Sequence, residues 1–121
     1  DLHGHTLDVE LGDPGKVKRG KLELPISLKI PLDEIVMLPG AQGFQAELEL
    51  RVAVLDDEGG RSEIPVIPVS FGGPDAPPPG AHAVYDTALM LRNVKQRVAL
   101  ALYDLAGEGI LSTSINFEPD V

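Results

Sequence analysis

The chain has 121 residues, no cysteine, and 19 acidic against 10 basic residues, which gives a formal charge of −9. Without cysteine, thiol catalysis, zinc–thiolate sites and thiol redox switching are excluded. The acidic balance argues against nucleic acid and anionic membranes as partners, since both attract clustered Lys and Arg. The length fits a single domain, 1–121, and no apolar stretch reaches the roughly 18 residues that a membrane-inserted helix requires. Because the chain begins at Asp1 without an initiator methionine or an apolar leader, we expect it to be a piece of a longer protein.

Seven extended segments, separated by turn-forming residues, follow one another along the chain. They span 7–11, about 17–30, 44–55, 61–71, about 83–92, 97–103 and 110–117. Every even position from 22 to 32 and from 44 to 54 is apolar, whereas the odd neighbours are mostly polar. Because side chains alternate between the two faces of a strand, both segments are strands with one apolar and one polar face. Such sheets pack face to face, so the pattern predicts an all-β fold, an antiparallel β-sandwich.

Prolines predict where the sheet edges lie, because proline cannot donate a backbone hydrogen bond. Pro25 and Pro31 fall on the polar face of the second segment, so part of that strand is expected at an edge. Pro65 and Pro68 face opposite sides of the fourth segment, which is expected to be an edge strand. Segment 72–80 contains three consecutive prolines, and this stiffness suits a crossing between sheets better than a hairpin.

Turn residues complete the predicted architecture. Residues 56–60 form a predicted hairpin tip, and 104–109 close the last hairpin. Segment 32–38 is either one helical turn or an extended connection. About seven strands with turns at intervals of about ten residues are typical of an immunoglobulin- or fibronectin-like sandwich, although the Cys…Trp…Cys core of antibody domains is absent.

The acidic turn residues are the candidates for a cation site. Asp56, Asp57 and Glu58 offer oxygen ligands, and Asp104 and Glu108 are expected at the same end of the sandwich, since both loops would follow strands running in the same sense. These five residues form a candidate calcium site. The simpler alternative is that they only keep the turns soluble, because calcium sites usually show a regular spacing such as D-x-D-x-D-G. No other cofactor is expected.

The sequence gives little indication of a transition-metal site or of catalysis. His3 and His5 could chelate a transition metal, but two ligands at a chain terminus make a weak site, and His82 stands alone after the prolines. No serine lies in a G-x-S-x-G elbow, and the G-x-x-x-x-G-K-[ST] phosphate loop is absent. We therefore assign no catalytic residue and predict that the chain is not an enzyme.

The sequences of several predicted strands resemble those of a known protein family. Residues 29–33 (KIPLD), 46–59 (AELELRVAVLDDEG), 85–102 (YDTALMLRNVKQRVALAL) and the following Tyr103-Asp104 are similar to the β-rich C-terminal region of bacterial VWFA-related proteins. These are predicted secreted or envelope proteins, common in acidobacteria, in which a von Willebrand factor A-like domain precedes the β-rich tail. The Asp-x-Ser-x-Ser metal motif of the A domain is absent here, so none of its adhesive metal chemistry carries over.

The resemblance implies a secreted, periplasmic or cell-envelope protein. Together with the residues, it predicts a non-catalytic structural or protein-interaction module whose partner is another protein or a neighbouring domain of the same chain. The loop that contains Asp56, Asp57 and Glu58 is expected to make contacts, since the edge around 64–69 is protected by prolines. The alternative is a calcium-dependent adhesion or carbohydrate-binding module. A small hydrolase would need a deep polar pocket between the sheets, where the alternating faces predict an apolar interior.

Overall fold

The computed structural model describes residues 4–15, 19–40, 43–56, 59–75, 77–107 and 109–118. Nine strands and one short helical turn lie within these ranges. The strands are β1 (Gly4–Thr6), β2 (Asp8–Leu11), β3 (Lys21–Pro31), β4 (Leu38–Gly40), β5 (Gly43–Asp56), β6 (Arg61–Gly73), β7 (His82–Arg92), β8 (Gln96–Asp104) and β9 (Ile110–Phe117). The helical turn is a 3-10 helix at Leu32–Glu34.

Two sheets form the sandwich. The larger has the order β1-β9-β8-β5-β4, with β6 on the other side of β5, and the smaller has the order β2-β3-β7. Neighbouring strands are antiparallel, except for the parallel pair β1 and β9. This arrangement confirms the predicted antiparallel sandwich of the immunoglobulin or fibronectin kind. Its count of about seven strands also agrees, if β1 and β2 are taken as one strand and the three-residue β4 is set aside.

The predicted first strand, 7–11, corresponds to β2, and β1 precedes it as an unpredicted strand of the other sheet. β1 pairs with β9 in the larger sheet, and β2 pairs with β3 in the smaller. Between them lies Leu7, which is buried and whose amide donates a hydrogen bond to the Ser112 carbonyl at 2.9 Å. Leu7 therefore marks the point at which the chain passes from one sheet to the other.

The space between the sheets is filled by aliphatic side chains. The even positions predicted to face inward are buried in β3 and, from Ala46 to Val54, in β5. They pack against residues from β6 to β9, which include Val69, Leu89, Leu91, Val98, Leu100, Leu102, Leu111 and Phe117. Because full burial of one such side chain contributes about 1.5–3 kcal/mol, this interior supplies the main stabilisation of the fold.

The positions of the prolines match the observed edges of the sheets. Among the described strands β6 pairs with β5 alone, so the strand with two prolines is an edge strand, as predicted. β3 lies between β2 and β7, but β2 covers only residues 26–29 of it, and Pro25 and Pro31 fall outside that stretch. The prediction of a partial edge in this strand is therefore confirmed. The Pro25 carbonyl accepts a hydrogen bond from the Gly12 amide at 2.8 Å, so its missing donor points away from β7.

Two of the connections that cross between the sheets contact each other. The chain passes from β6 in the larger sheet to β7 in the smaller, so the predicted crossing at 72–80 is confirmed. The undecided segment 32–38 begins with the 3-10 turn and continues extended into β4. Asp33 of that turn accepts a hydrogen bond from the Gly80 amide at 2.9 Å, which fastens one crossing to the other. Over the described residues, no helix has the length and apolar character that spanning a membrane demands.

Candidate functional site

Asp56 and Asp104, the two described residues of the predicted calcium site, are not brought together. Asp56 pairs with Gln96 and Asp104 pairs with Leu48, because β5 and β8 are antiparallel neighbours. Leu48 and Asp56 are eight residues apart along β5, which is roughly 27 Å at about 3.4 Å per residue. The expectation that both loops share one end of the sandwich is therefore wrong, since it assumed strands that run in the same sense.

The remaining candidates of that set, Asp57, Glu58 and Glu108, lie outside the described residues. Within the described ranges, no three His, Cys, Asp or Glu side chains are arranged to hold a metal ion. His3 also lies outside these ranges, His5 lies in β1, and His82 is exposed at the start of β7.

Asp56 connects the two sheets. Its carboxylate accepts a hydrogen bond from the Gly60 amide at 2.7 Å, which closes the β5–β6 hairpin. The same carboxylate forms an ion pair with Arg92 at the end of β7, in the opposite sheet. The Asp56 side chain is only 7 % exposed, so this ion pair is shielded from solvent on the carboxylate side. This ion pair therefore links the two sheets.

Gln96, the residue opposite Asp56, extends this polar cluster. Its buried side-chain amide donates to the carbonyls of Arg92 and Val94, at 2.7 and 2.8 Å. These bonds fix the short turn between β7 and β8. Sequence reasoning missed Gln96, although a polar residue at the first inward position of a strand is a recognisable signal for a buried hydrogen-bonding role.

Asp104 has a similar structural role at the other end of the sandwich. It is 5 % exposed, and its carboxylate accepts hydrogen bonds from the amides of Val36 and Ala106, at 2.7 and 3.2 Å. The first bond holds the crossing segment after the 3-10 turn, and the second shapes the β8–β9 hairpin. The two described carboxylates that were offered to calcium, Asp56 and Asp104, therefore bind backbone amides or an arginine.

An open hollow of about 730 Å³ lies on the outer face of the larger sheet. We call it the outer-face hollow. It is lined by Arg51, Ala53, Val66, Ala99, Ala101, Tyr103, Ser112 and Ser114, together with adjoining residues of the same strands. Most of these side chains are small, so a partner could approach the sheet closely there.

Arg51 and Tyr103 form the largest polar feature of the outer-face hollow. The guanidinium of Arg51 lies 4.2 Å from the centre of the Tyr103 ring, within the range of a cation–π contact. Arg51 also donates to Glu49 at 2.9 Å, and this hydrogen bond raises the pKa of the guanidinium above its ordinary value. At the opposite side Arg97 donates to the Ser114 hydroxyl at 3.3 Å. These contacts partly fix the positions of the Arg51 and Arg97 side chains in the unbound domain.

Sequence reasoning missed the outer-face hollow. The signal was available, since Ala53, Ala99 and Ala101 occupy outward positions where a solvated strand usually has long polar side chains. Their convergence on one patch depends on the pairing of β5 with β8, which places Arg51 opposite Ala101 and Ala53 opposite Ala99. Single-strand patterns do not contain that register.

Comparisons with known proteins identify the fold alone. No protein-family model matches the chain, and no curated protein matches it. A putative beta-galactosidase from Bacteroides fragilis contains a similar domain, with a TM-score of 0.53 and 16 % identity over 91 % of this chain. A beta-glucuronidase from glycoside hydrolase family 2 is similar with a TM-score of 0.53 and 10 % identity over 92 % of this chain. The chain spans only 16 % and 11 % of those two proteins.

Proposed function

We propose that this domain is a non-catalytic protein-interaction module of a larger exported or envelope protein, and that its partner covers the outer-face hollow. The observation that carries the proposal is the Arg51–Tyr103 pair beside a floor of small side chains. Tyr and Arg are the residue types that most often dominate protein interfaces, and a small-residue floor lets a partner surface approach closely.

The contacts that the acidic side chains make support a non-catalytic role. The carboxylates of Asp56 and Asp104 bind backbone amides or an arginine, and the inner faces of both sheets are aliphatic. A nucleophile and a base in a shared pocket are what hydrolysis would require. The outer-face hollow offers serine hydroxyls and the Arg51 guanidinium, but its lining includes no histidine or carboxylate that would activate a nucleophile.

Two considerations support a module within a longer protein. The resemblance of the strands to the tails of VWFA-related proteins implies an exported protein with a preceding A-like domain. The two glycosidases similar in fold are much longer than this chain, and in them the corresponding domain is a small part. A neighbouring domain of the same protein is therefore the first partner to test.

The test begins with the reading frame upstream of Asp1. An A-like domain with Asp-x-Ser-x-Ser, preceded by a secretion signal, is the expected neighbour. That domain is then produced separately, and its binding to this chain is measured by isothermal titration calorimetry. Arg51→Ala and Tyr103→Ala should each weaken binding at least about tenfold, as expected for anchor residues.

Lys29→Ala is the matched control, because Lys29 is exposed in β3 of the opposite sheet. It should leave the affinity unchanged. A neighbour whose catalytic site takes a residue from this chain would overturn the non-catalytic role. Binding that is insensitive to Arg51→Ala and Tyr103→Ala would overturn the assignment of the surface.

A further inference from the structure

The two most exposed of the large apolar side chains in the described ranges lie on the same strand. Val84 is 66 % exposed and Met90 is 58 % exposed, and both belong to the outer face of β7. They are six residues apart and therefore point to the same side of the sheet. Thr87 lies midway between them, so the strand presents an apolar residue at equal distances on either side of a central point.

β7 is also a long edge strand without the usual protection. Among the described strands it pairs with β3 alone, over eleven residues from His82 to Arg92. It contains no proline and no lysine, and its pairing with β3 has no register shift. By contrast β6 has two prolines and a bulge near Val52, and β1 and β2 are three and four residues long. Edge strands that lack such devices readily accept another strand.

The backbone groups that would accept another strand can be identified from the β3 side. The N–H and C=O of one residue point to the same side of a strand, and successive residues alternate. The Asn93 amide and the Ala81 carbonyl bond to Gly20 and Leu32, on the β3 side. The even-numbered residues of β7 therefore direct their N–H and C=O groups to the open edge. The stretch 84–90 contains four of them.

From these observations we propose that the open edge of β7 binds β7 of a second copy of this chain, antiparallel and in a register centred on Thr87. The proposal goes beyond the interaction function above, since it concerns the opposite sheet. This register pairs the whole strand and places Val84 of one copy opposite Met90 of the other, twice. Cross-strand apolar pairs of this kind stabilise antiparallel sheets.

Charge also favours a second copy in this register. Although the chain has a formal charge of −9, the outward side chains of β7 include only one acid, Asp86, and the one arginine, Arg92, is already paired with Asp56. Asp86 already accepts a hydrogen bond from Ser27. A register centred one residue earlier would place Asp86 opposite itself, and like charges in direct opposition destabilise a sheet. In the proposed register the single acid of each strand lies opposite Ala88, so the open edge permits self-pairing without placing two carboxylates in direct opposition.

Inward-facing residues gain from the same pairing. Tyr85 and Thr87 face the interior but are only half-buried, and Tyr85 packs against the edge of the core. A paired strand would cover both side chains. The contact is small compared with standard protein interfaces, so we expect a dissociation constant on the order of 10–100 µM.

Sedimentation velocity of the 121-residue chain over a concentration series tests the proposal. Ala88→Pro is the first variant, because the Ala88 amide points to the open edge and its loss leaves the β3 pairing intact. It should weaken the dimer at least about tenfold, as should Val84→Lys. Val66→Lys is the control: it changes an exposed valine of the other long edge strand, β6, and should leave the dimer unchanged.

The register has its own test, since the chain has no native cysteine. Thr87→Cys should cross-link to a covalent dimer under mild oxidation, because directly opposed residues of a non-hydrogen-bonded pair have Cα atoms about 4.5 Å apart. Val66→Cys should not cross-link. A wild-type chain that stays monomeric at about 1 mM would overturn the proposal. So would equal cross-linking of both cysteine variants, or a dimer that Val66→Lys disrupts and Ala88→Pro leaves intact.

Discussion

Arg92 at the end of β7 forms an ion pair with Asp56 at the end of β5, and this contact joins the two sheets at one end of the sandwich. The Asp56 side chain is shielded from solvent, whereas that of Arg92 is half exposed. The bonds from Gln96 to the turn after Arg92 hold the arginine backbone in place. A surface turn that sequence reasoning assigned to solubility or calcium is thus a structural junction.

Arg92→Met should destabilise the fold by about 1–3 kcal/mol, because it leaves the largely buried Asp56 carboxylate without its arginine. Urea denaturation followed by circular dichroism measures the change. Lys95→Met is the control, because the Lys95–Glu118 pair is exposed on both sides and should contribute less than about 1 kcal/mol. Equal losses in the two variants would contradict a special role for the junction.

The strands themselves follow from the sequence to a large extent. Alternation in 22–30 and 46–54 depends on each residue's own polarity, and the structure buries those even positions as predicted, whereas Leu32 lies in the 3-10 turn and is half-buried. The ends of β9 were predicted at Ile110 and Phe117, where the structure has them. Local patterns determine these features because a strand in a sandwich needs only one face turned inward.

The candidate site could not be predicted in the same way. Asp56 and Asp104 were assigned to one end because the direction of β8 relative to β5 depends on which strands become neighbours. That pairing is a long-range property which no single segment contains. β1 was missed for a related reason, since its three residues form a strand through their parallel pairing with the distant β9.

Asp104→Ala should destabilise the fold by about 1–3 kcal/mol, because the amides of Val36 and Ala106 lose a buried acceptor with which they form part-buried hydrogen bonds. Asp104→Asn keeps one carbonyl oxygen and should lose less. Amide hydrogen exchange provides the local readout, with faster exchange expected at Val36. Asp8→Ala, an exposed aspartate of β2, should remain within about 0.5 kcal/mol of the wild type. Unchanged exchange at Val36 in Asp104→Ala would contradict the assignment.

Leu7→Ala tests the point at which the chain passes from β1 in the larger sheet to β2 in the smaller. Leu7 is 1 % exposed, so its truncation should cost about 2–5 kcal/mol through lost burial and a cavity. Leu11, four residues later at the end of β2, is 46 % exposed, and Leu11→Ala should cost under about 1 kcal/mol. Chemical denaturation of both variants gives the comparison. Similar losses would mean that Leu7 is not the buried residue at the sheet change.

Calcium should have little effect on stability. The described oxygens of the proposed set are bound elsewhere: Asp56 to Gly60 and Arg92, and Asp104 to Val36 and Ala106. Calcium takes six to eight oxygens, and the two carboxylates lie at opposite ends of the sheet. We expect the melting temperature in millimolar calcium and in chelator to agree within about 1 °C. Occupancy of a real site at a hundredfold excess would add about 2.7 kcal/mol, a shift of several degrees for a domain of this size.

The calcium experiment has a control, the double variant Asp57→Asn and Glu58→Gln. It changes two of the candidate ligands and leaves Asp56 and Arg92 as they are. Differential scanning calorimetry of the wild type and this variant, each with calcium and with chelator, completes the test. A calcium-dependent rise in the wild type that the double variant abolishes would favour the calcium-dependent adhesion or carbohydrate-binding alternative. Such a rise would require that the tip bind the ion with oxygens other than those of Asp104, since the β5–β8 register keeps that carboxylate roughly 27 Å away.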